Sequence, residues 1–470
     1  MQPNVIWITL DSVRADHTTL GGYRRDTTPE LTRIADRENG WHSDRCIAAG
    51  TGTTVSTGSI LTGTYPFRHG VGIHNQYLPD SLDTAPELFR DAGYTTACLS
   101  RNSYLSSGTG LDRGFDRFEW IAGSTILDAV PPGVLARYLL NVRRHSAGLT
   151  VDTAKHATPF LLNETAKRWL ASMTDSQPFF FYLHYNEPHR PYYPPRPYLE
   201  RFTDDIRYSA SEAAAVSMEI HRNAHEHIAD GLSSVSSADL EALTAMYDAE
   251  VAYTDEMIGR LFEHVRSADF GETIVVVTAD HGELLGEHGL LSHKVVVDEA
   301  VTNVPLVVHG PQNGNGEWNW LRESNPSDPV QHIDVMQTVL ERIGADTGQF
   351  DGIDLQEETR NYAFVNRDEF DFDLFRQFNP SYDASGFHES PLVATVGDGY
   401  RYERSEDFER LYRLPDERTD VSTQEPEITD RMRQEVIEWE QESGQPVRAN
   451  RGSQLDETMR QQLRDLGYVE

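Results

Sequence analysis

Three short apolar runs set the architecture open to this 470-residue chain. They are Val5-Ile6-Trp7-Ile8-Thr9-Leu10, Phe179-Phe180-Phe181-Tyr182-Leu183 and Ile274-Val275-Val276-Val277-Thr278. Each is rich in β-branched or aromatic residues and too short for a buried helix, which predicts a central strand covered on both faces. Each also gives way to polar residues: Asp11 after the first, Asn186 and His189 after the second, Asp280 and His281 after the third. Between them, Ala238 to Val265 places Leu240, Leu243, Tyr247, Val251, Thr254, Ile258, Leu261 and Val265 at three- and four-residue steps, one stripe of a helix that Ser237 caps. Strands alternating with helices predict an α/β fold with a largely parallel central sheet flanked by helices. Polar groups just past the carboxyl ends of such strands converge on one crevice. Asp11, His189 and Asp280 are therefore expected to share a site.

Other stretches depart from this pattern. Residues from about Ser124 to Asp152 lack strand patterning, and Asp204 to Ser236 reads as a polar loop over or beside the site. From about Gln377 the chain changes character. Pro391 to Val396 and Tyr400-Arg401-Tyr402 read as short antiparallel strands joined by Gly397-Asp398-Gly399, with helices from Glu427. The expected division is a catalytic α/β domain over 1–376 and a small C-terminal α+β subdomain over 377–470.

The formal charge is -34, from 41 basic and 75 acidic residues. A phosphate backbone needs a basic face, so nucleic acid is excluded as the expected partner. No apolar run is long enough for a membrane helix. The start, Met1-Gln2-Pro3-Asn4, carries no basic n-region before its apolar run, and Cys46 and Cys98 read as two buried thiols, so a cytoplasmic protein is expected. Lysine occurs only at Lys155, Lys167 and Lys294. An acidic, lysine-poor chain resembles proteins of halophilic archaea.

The chemistry concentrates where the strands end. Asp280 and His281 stand adjacent, followed by Gly282, and can aim a carboxylate and an imidazole at one cation. A plain Asp-His-Gly turn is the bland alternative, and Asp11 at the equivalent position of another strand counts against it. Arg14, three residues on, is a candidate for orienting a carboxylate or a bound anion. Asn186 and His189 follow the phenylalanine-rich strand, and His189 suits proton transfer. His184 lies near the end of that strand and is expected to pack.

Five segments in order carry a family resemblance: Asp11-Ser12-Val13-Arg14-Ala15-Asp16-His17, Leu61-Thr62-Gly63-Thr64-Tyr65-Pro66, His184-Tyr185-Asn186-Glu187-Pro188-His189, Asp280-His281-Gly282-Glu283 and Val304-Pro305-Leu306. The chain resembles the sulfatase family of the alkaline phosphatase superfamily. That resemblance implies a divalent ion (Mn, Zn, Mg or Ca) on Asp11, Asp280 and His281. It also implies a basic residue at His293 or Lys294 against the transferred anion. Sulfatases oxidise a Cys or Ser nine residues before the Thr of the Leu-Thr-Gly motif to formylglycine, guided by a following Pro and Arg. Here that position is Thr53, and Val55 and Thr57 stand at the guiding positions. No formylglycine is expected. Unmodified Thr at this place resembles the phosphodiesterase and phosphoglycerol-transferase branches, with Thr53 as nucleophile and metal ligand. Ser12 stands where many sulfatases carry a second Asp, which favours Mn or Zn over Ca.

The expected activity is metal-dependent hydrolysis of a sulfate ester or a phosphate mono- or diester by in-line displacement through Thr53. His189 protonates the leaving group, Lys294 or His293 offsets charge, and Arg14 and Asn186 bind substrate. The ester is a small molecule, a glycan or a lipid headgroup. A phospho-group transferase and a non-catalytic binding protein on the same fold are the alternatives.

Overall fold

In a computed structural model that describes residues 2–148, 150, 152–173, 177–268, 270–311, 326–450, 452 and 454–465, the three runs become neighbouring strands of a seven-stranded sheet. They are β1 (Asn4–Leu10), β5 (Phe179–Tyr185) and β6 (Thr273–Ala279). With β2 (Gly40–Ile47), β3 (Thr95–Ser100), β4 (Arg117–Trp120) and β7 (Asn303–His309), the order is β2-β7-β6-β1-β5-β3-β4. β6, β1, β5, β3 and β4 run parallel, while β7 is antiparallel to β6 and β2. Helices cover the faces, and every residue of β1 and β5 is buried. Aromatic side chains fix the helix-to-sheet packing: Phe89 stacks on Phe180 at 4.2 Å and Trp169 on Phe181 at 5.9 Å. Cys46 and Cys98 are buried thiols on β2 and β3, with β7, β6, β1 and β5 between them.

The long helix spans Ser237–Ser267, and its cap is Ser236, one residue before the expected Ser237, paired with Asp239 in a capping box. The segment expected as a polar loop from Asp204 to Ser236 is instead largely helical, with Ala210–Arg222 and Ala224–Ala229. Ser209 and Glu212 form a capping box, and Ala213-Ala214-Ala215 supplies strong helix formers, which outweigh the surrounding polarity.

A second sheet has the order β11-β10-β9-β8, built from β8 (Ala363–Arg367), β9 (Leu392–Gly397), β10 (Tyr400–Arg404) and β11 (Glu409–Arg413). The expected hairpin is β9–β10, turning through Asp398 (φ 53°) and Gly399 (φ 79°). β8 lies before the expected boundary at 376/377 yet pairs with β9, because its apolar Ala363-Phe364-Val365 is buried within this sheet.

A cluster of charges joins this sheet to the segment after β6. His288 Nε2 lies 2.7 Å from Asp298 Oδ2, and Arg401 Nε donates to Glu417 Oε1 at 2.6 Å. Glu417 in turn accepts from the backbone N–H of Glu299 at 2.9 Å. The hydrogen bond to Asp298 raises the His288 pKa above 6.5. A raised folded-state pKa stabilises fully below the unfolded value, and that stability is lost as pH rises through the folded value. His288→Gln is therefore expected to cost about 1 kcal/mol at pH near 6 and clearly less at pH above 8. Thermal melts of the two proteins at both pH values check this.

Candidate active site

Strand register brings the key residues level. Leu10 of β1 pairs with Tyr185 of β5 and with Ala279 of β6, so Asp11, Asn186 and Asp280 all emerge at the carboxyl ends of neighbouring strands. The ladder continues one step further, because Asp11 N–H donates to the Tyr185 carbonyl (2.9 Å) and Asp280 N–H to the Leu10 carbonyl (3.2 Å). Ser12 takes a left-handed backbone (φ 66°), rare for a residue with a Cβ, and thereby aims its N–H at Asp280 Oδ1 at 3.3 Å. Gly282 passes so close to the Ala300 carbonyl that a Cβ would sit 2.0 Å from its oxygen, which fixes glycine after His281.

Thr53 opens the helix Thr53–Thr62 after an extended Gly52, and it is buried at 3% exposure. Its Oγ1 lies 3.4 Å from Asp11 Oδ2 and 3.3 Å from His281 Nε2. His281 Nδ1 lies 2.8 Å from the Gly282 carbonyl. A carbonyl only accepts, so Nδ1 carries the proton and the Nε2 lone pair faces inward. That lone pair stands 3.5 Å from Asp11 Oδ1 and 3.7 Å from Asp280 Oδ2.

Two further residues join this group. His184, expected merely to pack, turns its Nε2 to 3.4 Å from Asp11 Oδ2. Ligand atoms of Asp11, His184 and Asp280 all lie within 4.8 Å of one another. Asn102 Nδ2 donates to the same Asp11 oxygen at 3.2 Å. Asn102 follows the end of β3, so the strand-end rule applied there would have found it. His184 sits within β5, level with Thr9 and Ser100, where its polarity amid aromatic residues was the available signal.

The electrostatics describe a pocket short of positive charge. Burial and the neighbouring Asp11 carboxylate push the Asp280 pKa well above the ordinary value. Burial also raises Asp11, but the imidazoles of His189, His184 and His281 outweigh it and hold that carboxyl well below the carboxylate range. Asp280 Oδ2 is buried and has no hydrogen-bond partner among the described residues. An orphaned carboxylate oxygen, a bare imidazole lone pair and a second carboxylate converging in a dry pocket fit a divalent cation.

Around this centre the structure sorts the remaining candidates. The His293 ring lies 4.2 Å from that of His281 and 5.6 Å from that of His189, and its Nδ1 is 3.3 Å from the buried Glu283 carboxylate. Burial holds His293 well below its ordinary pKa and brings His189 down to about 3. His189 Nδ1 faces the Arg190 carbonyl at 3.0 Å, so in the neutral ring Nε2 is an acceptor. Lys294 is pushed down to about 8, by burial and then by Arg190; the residue remains exposed, so water screens part of that push. Arg14 is not brought to the centre. Its guanidinium is engaged by Asp16 (2.8 Å), Glu287 (2.7 Å) and the Glu283 carbonyl (3.2 Å), because two carboxylates beside it outcompete a more distant anion. Asn186, His189 and Arg190 line a cavity of about 1230 Å3 beside the carboxylate pair. Asp11, Thr53 and Asp280 are not among its lining residues.

Known proteins resemble this chain in sequence and in fold. The profile of the sulfatase family matches residues 3–345. The uncharacterized sulfatase YidJ of Escherichia coli is 25% identical over 294 residues, 61% of this chain and 57% of that protein. The chain thus spans little more than half the length of that relative. The multifunctional alkaline phosphatase superfamily protein PehA of Trinickia caryophylli is 28% identical over 392 residues, 73% of this chain and 74% of that one. The crystal structure of the phosphonate monoester hydrolase of Agrobacterium radiobacter superposes with a TM-score of 0.73 at 20% identity, covering 94% of this chain and 96% of the other, and so shares its fold.

Proposed function

The chain belongs to the sulfatase family of ester hydrolases within the alkaline phosphatase superfamily, and on that premise we propose that it hydrolyses a sulfate or phosphate ester through Thr53, with a divalent ion held by Asp11, Asp280 and His281. The observation that carries this reading is the position of Thr53 Oγ1, 3.4 Å from Asp11 Oδ2 and 3.3 Å from His281 Nε2. Bound there, with Thr53 and His184 as further donors, the ion supplies Lewis acidity that makes a hydroxyl a competent nucleophile near neutral pH. Imidazole donors favour Mn or Zn over Ca.

The rest follows from the chain's own groups. Thr53 Oγ forms a bond to sulfur or phosphorus as the ester oxygen leaves on the opposite side. The backbone N–H groups at the start of the helix Thr53–Thr62 favour the anionic oxygens of the transferred group. Lys294, rather than His293, offsets their charge, because burial keeps His293 neutral while Lys294 stays protonated up to about pH 8. His189 at rest is a neutral acceptor, so it takes the proton of the water that cleaves the covalent intermediate. That proton restores the Thr53 hydroxyl, and in the first step His189 takes the Thr53 proton and passes it to the leaving oxygen. Asn186, beside His189 on the cavity wall, contacts the alcohol part of the substrate.

One panel tests this. An aryl sulfate, an aryl phosphate, a bis-aryl phosphodiester and an aryl phosphonate monoester are offered to protein stripped by chelator and then reloaded with Mn or Zn. Metal-dependent turnover of at least one is expected. A folded protein that takes up no metal and turns over none is a binding protein. His189→Ala is expected to lower kcat/KM by roughly 10² to 10⁴ for an alkyl ester, but far less for a nitrophenyl ester that leaves without a proton. Equal losses on the two leaving groups remove His189 from proton transfer.

A further inference from the structure

Above the large cavity stand three short helices, Ile126–Ala129, Pro132–Leu140 and Val142–His145, whose composition contrasts with the rest of the chain. In a protein of net charge -34, residues 126–145 carry Arg137, Arg143 and Arg144 against one acid, Asp128. All three arginines are exposed. Arg137 pairs with Glu164, Arg144 lies 3.9 Å from Glu256, and Arg143 forms no ion pair among the described residues. Four large apolar side chains are exposed on the described surface, and three lie here: Leu127 (80%), Leu139 (63%) and Leu140 (85%). Unlike scattered surface leucines, these cluster with arginines on short helices, the signature of an element that lies in a lipid interface.

The cavity below continues this apolar face inward. Ile121, Ile126, Tyr138, Leu139, Val142 and Leu161 form much of its wall, and Asn186, His189 and Arg190 line the same cavity. His189 is the group that handles the leaving oxygen in the reading above, on which this inference rests. The space therefore receives the alcohol part of the ester, and its walls suit hydrocarbon. About 1230 Å3 exceeds what a small polar alcohol fills.

We propose that the substrate is an amphiphile, a sulfate or phosphate ester of an alcohol with a hydrophobic tail, and that residues 126–145 dock on the anionic bilayer that presents it. An ester of this kind makes its own bilayer anionic. The acidic remainder of the chain is repelled from such a surface, so only the arginine-bearing face approaches, which turns the cavity mouth toward the lipid. A soluble glycan substrate leaves the three leucines without a role.

The test has two arms on the full chain, as wild type and as the triple variant Leu127→Ser, Leu139→Ser, Leu140→Ser, whose exposed positions leave folding intact. In flotation, the wild type is expected to rise with vesicles of equal parts phosphatidylcholine and phosphatidylglycerol and not with pure phosphatidylcholine, with the bound fraction falling about ten-fold in the variant. In turnover, methylumbelliferyl and heptylumbelliferyl esters share one leaving group and differ in tail. The wild type is expected to prefer the heptyl ester at least about ten-fold in kcat/KM, and the variant to lose most of that preference. A wild type that ignores anionic vesicles, or one that self-associates through the leucines instead, overturns the docking. Equal kcat/KM on the two esters overturns the tail site. If neither ester turns over, the catalytic reading fails, while flotation still decides the docking.

Discussion

Replacing Thr53 by alanine is expected to lower kcat on the best ester by on the order of ten-thousand-fold or more, while Thr53→Ser keeps the reaction within about ten-fold to a hundred-fold of wild type. The reason is geometric. The Thr53 hydroxyl is buried, stands 3.4 Å from Asp11 Oδ2 and 3.3 Å from His281 Nε2, and opens the helix Thr53–Thr62. Serine restores the oxygen at the cost of one methyl contact. Alanine leaves water as the only nucleophile, without the covalent intermediate that divides a hard displacement into two easier ones. Steady-state rates on the metal-loaded proteins, with circular dichroism to show that the fold is kept, read the effect. An alanine variant as fast as wild type removes Thr53 from the mechanism.

The second large effect concerns Asp280. Asp280→Asn is expected to act in opposite directions on the metal-free and metal-loaded protein. Without metal, two buried acids share the pocket, and the Asp11 carboxylate helps push the Asp280 pKa upward. Neutralising one relieves that repulsion, so the variant is expected to gain about 1–3 kcal/mol over metal-free wild type. The amide oxygen still accepts from the Ser12 N–H that Asp280 Oδ1 now serves at 3.3 Å, so the turn is kept. With metal, the order reverses. A ligand that binds only the folded state contributes about 4 kcal/mol at a thousand times its Kd, and the variant loses most of that. Elemental analysis after dialysis is expected to fall from about one ion per chain to a small fraction, as one anionic ligand of a mixed carboxylate and imidazole set is removed. Thermal melts with and without Mn or Zn read both signs in one experiment. A metal-induced rise in Tm that survives Asp280→Asn separates Asp280 from the ion.

Much of the fold was legible because its determinants are local. Val5–Leu10, Phe179–Leu183 and Ile274–Thr278 cannot be half-buried, so they had to be central strands, and parallel strands place their following residues together. Asp11, Asp280 and the segment holding Asn186 and His189 follow from that alone. What stayed hidden depends on register and on neighbours distant in sequence. His184 faces Asp11 only because β5 pairs with β1 in one particular register, level with Thr9. The carboxylate of Glu287 that engages Arg14 stayed hidden because it lies 273 residues away. The strand Ala363–Arg367 was overlooked because its partner β9 lies beyond a long intervening segment. The leucines at 127, 139 and 140 lie in a segment without strand patterning, and only their exposure marks them as a surface cluster.

The central claim, that Thr53 attacks the ester and carries the transferred group, is tested most directly by catching it there. Metal-loaded protein is mixed with its best aryl ester, quenched in acid before the steady state, digested, and mapped by mass spectrometry. The account predicts that the peptide containing Thr53 gains the mass of one sulfuryl or phosphoryl group, at Thr53, and that the adduct appears no more slowly than the alcohol is released. An adduct on another residue, or full turnover with no adduct and a released group whose stereochemistry shows a single inversion by water, would contradict it.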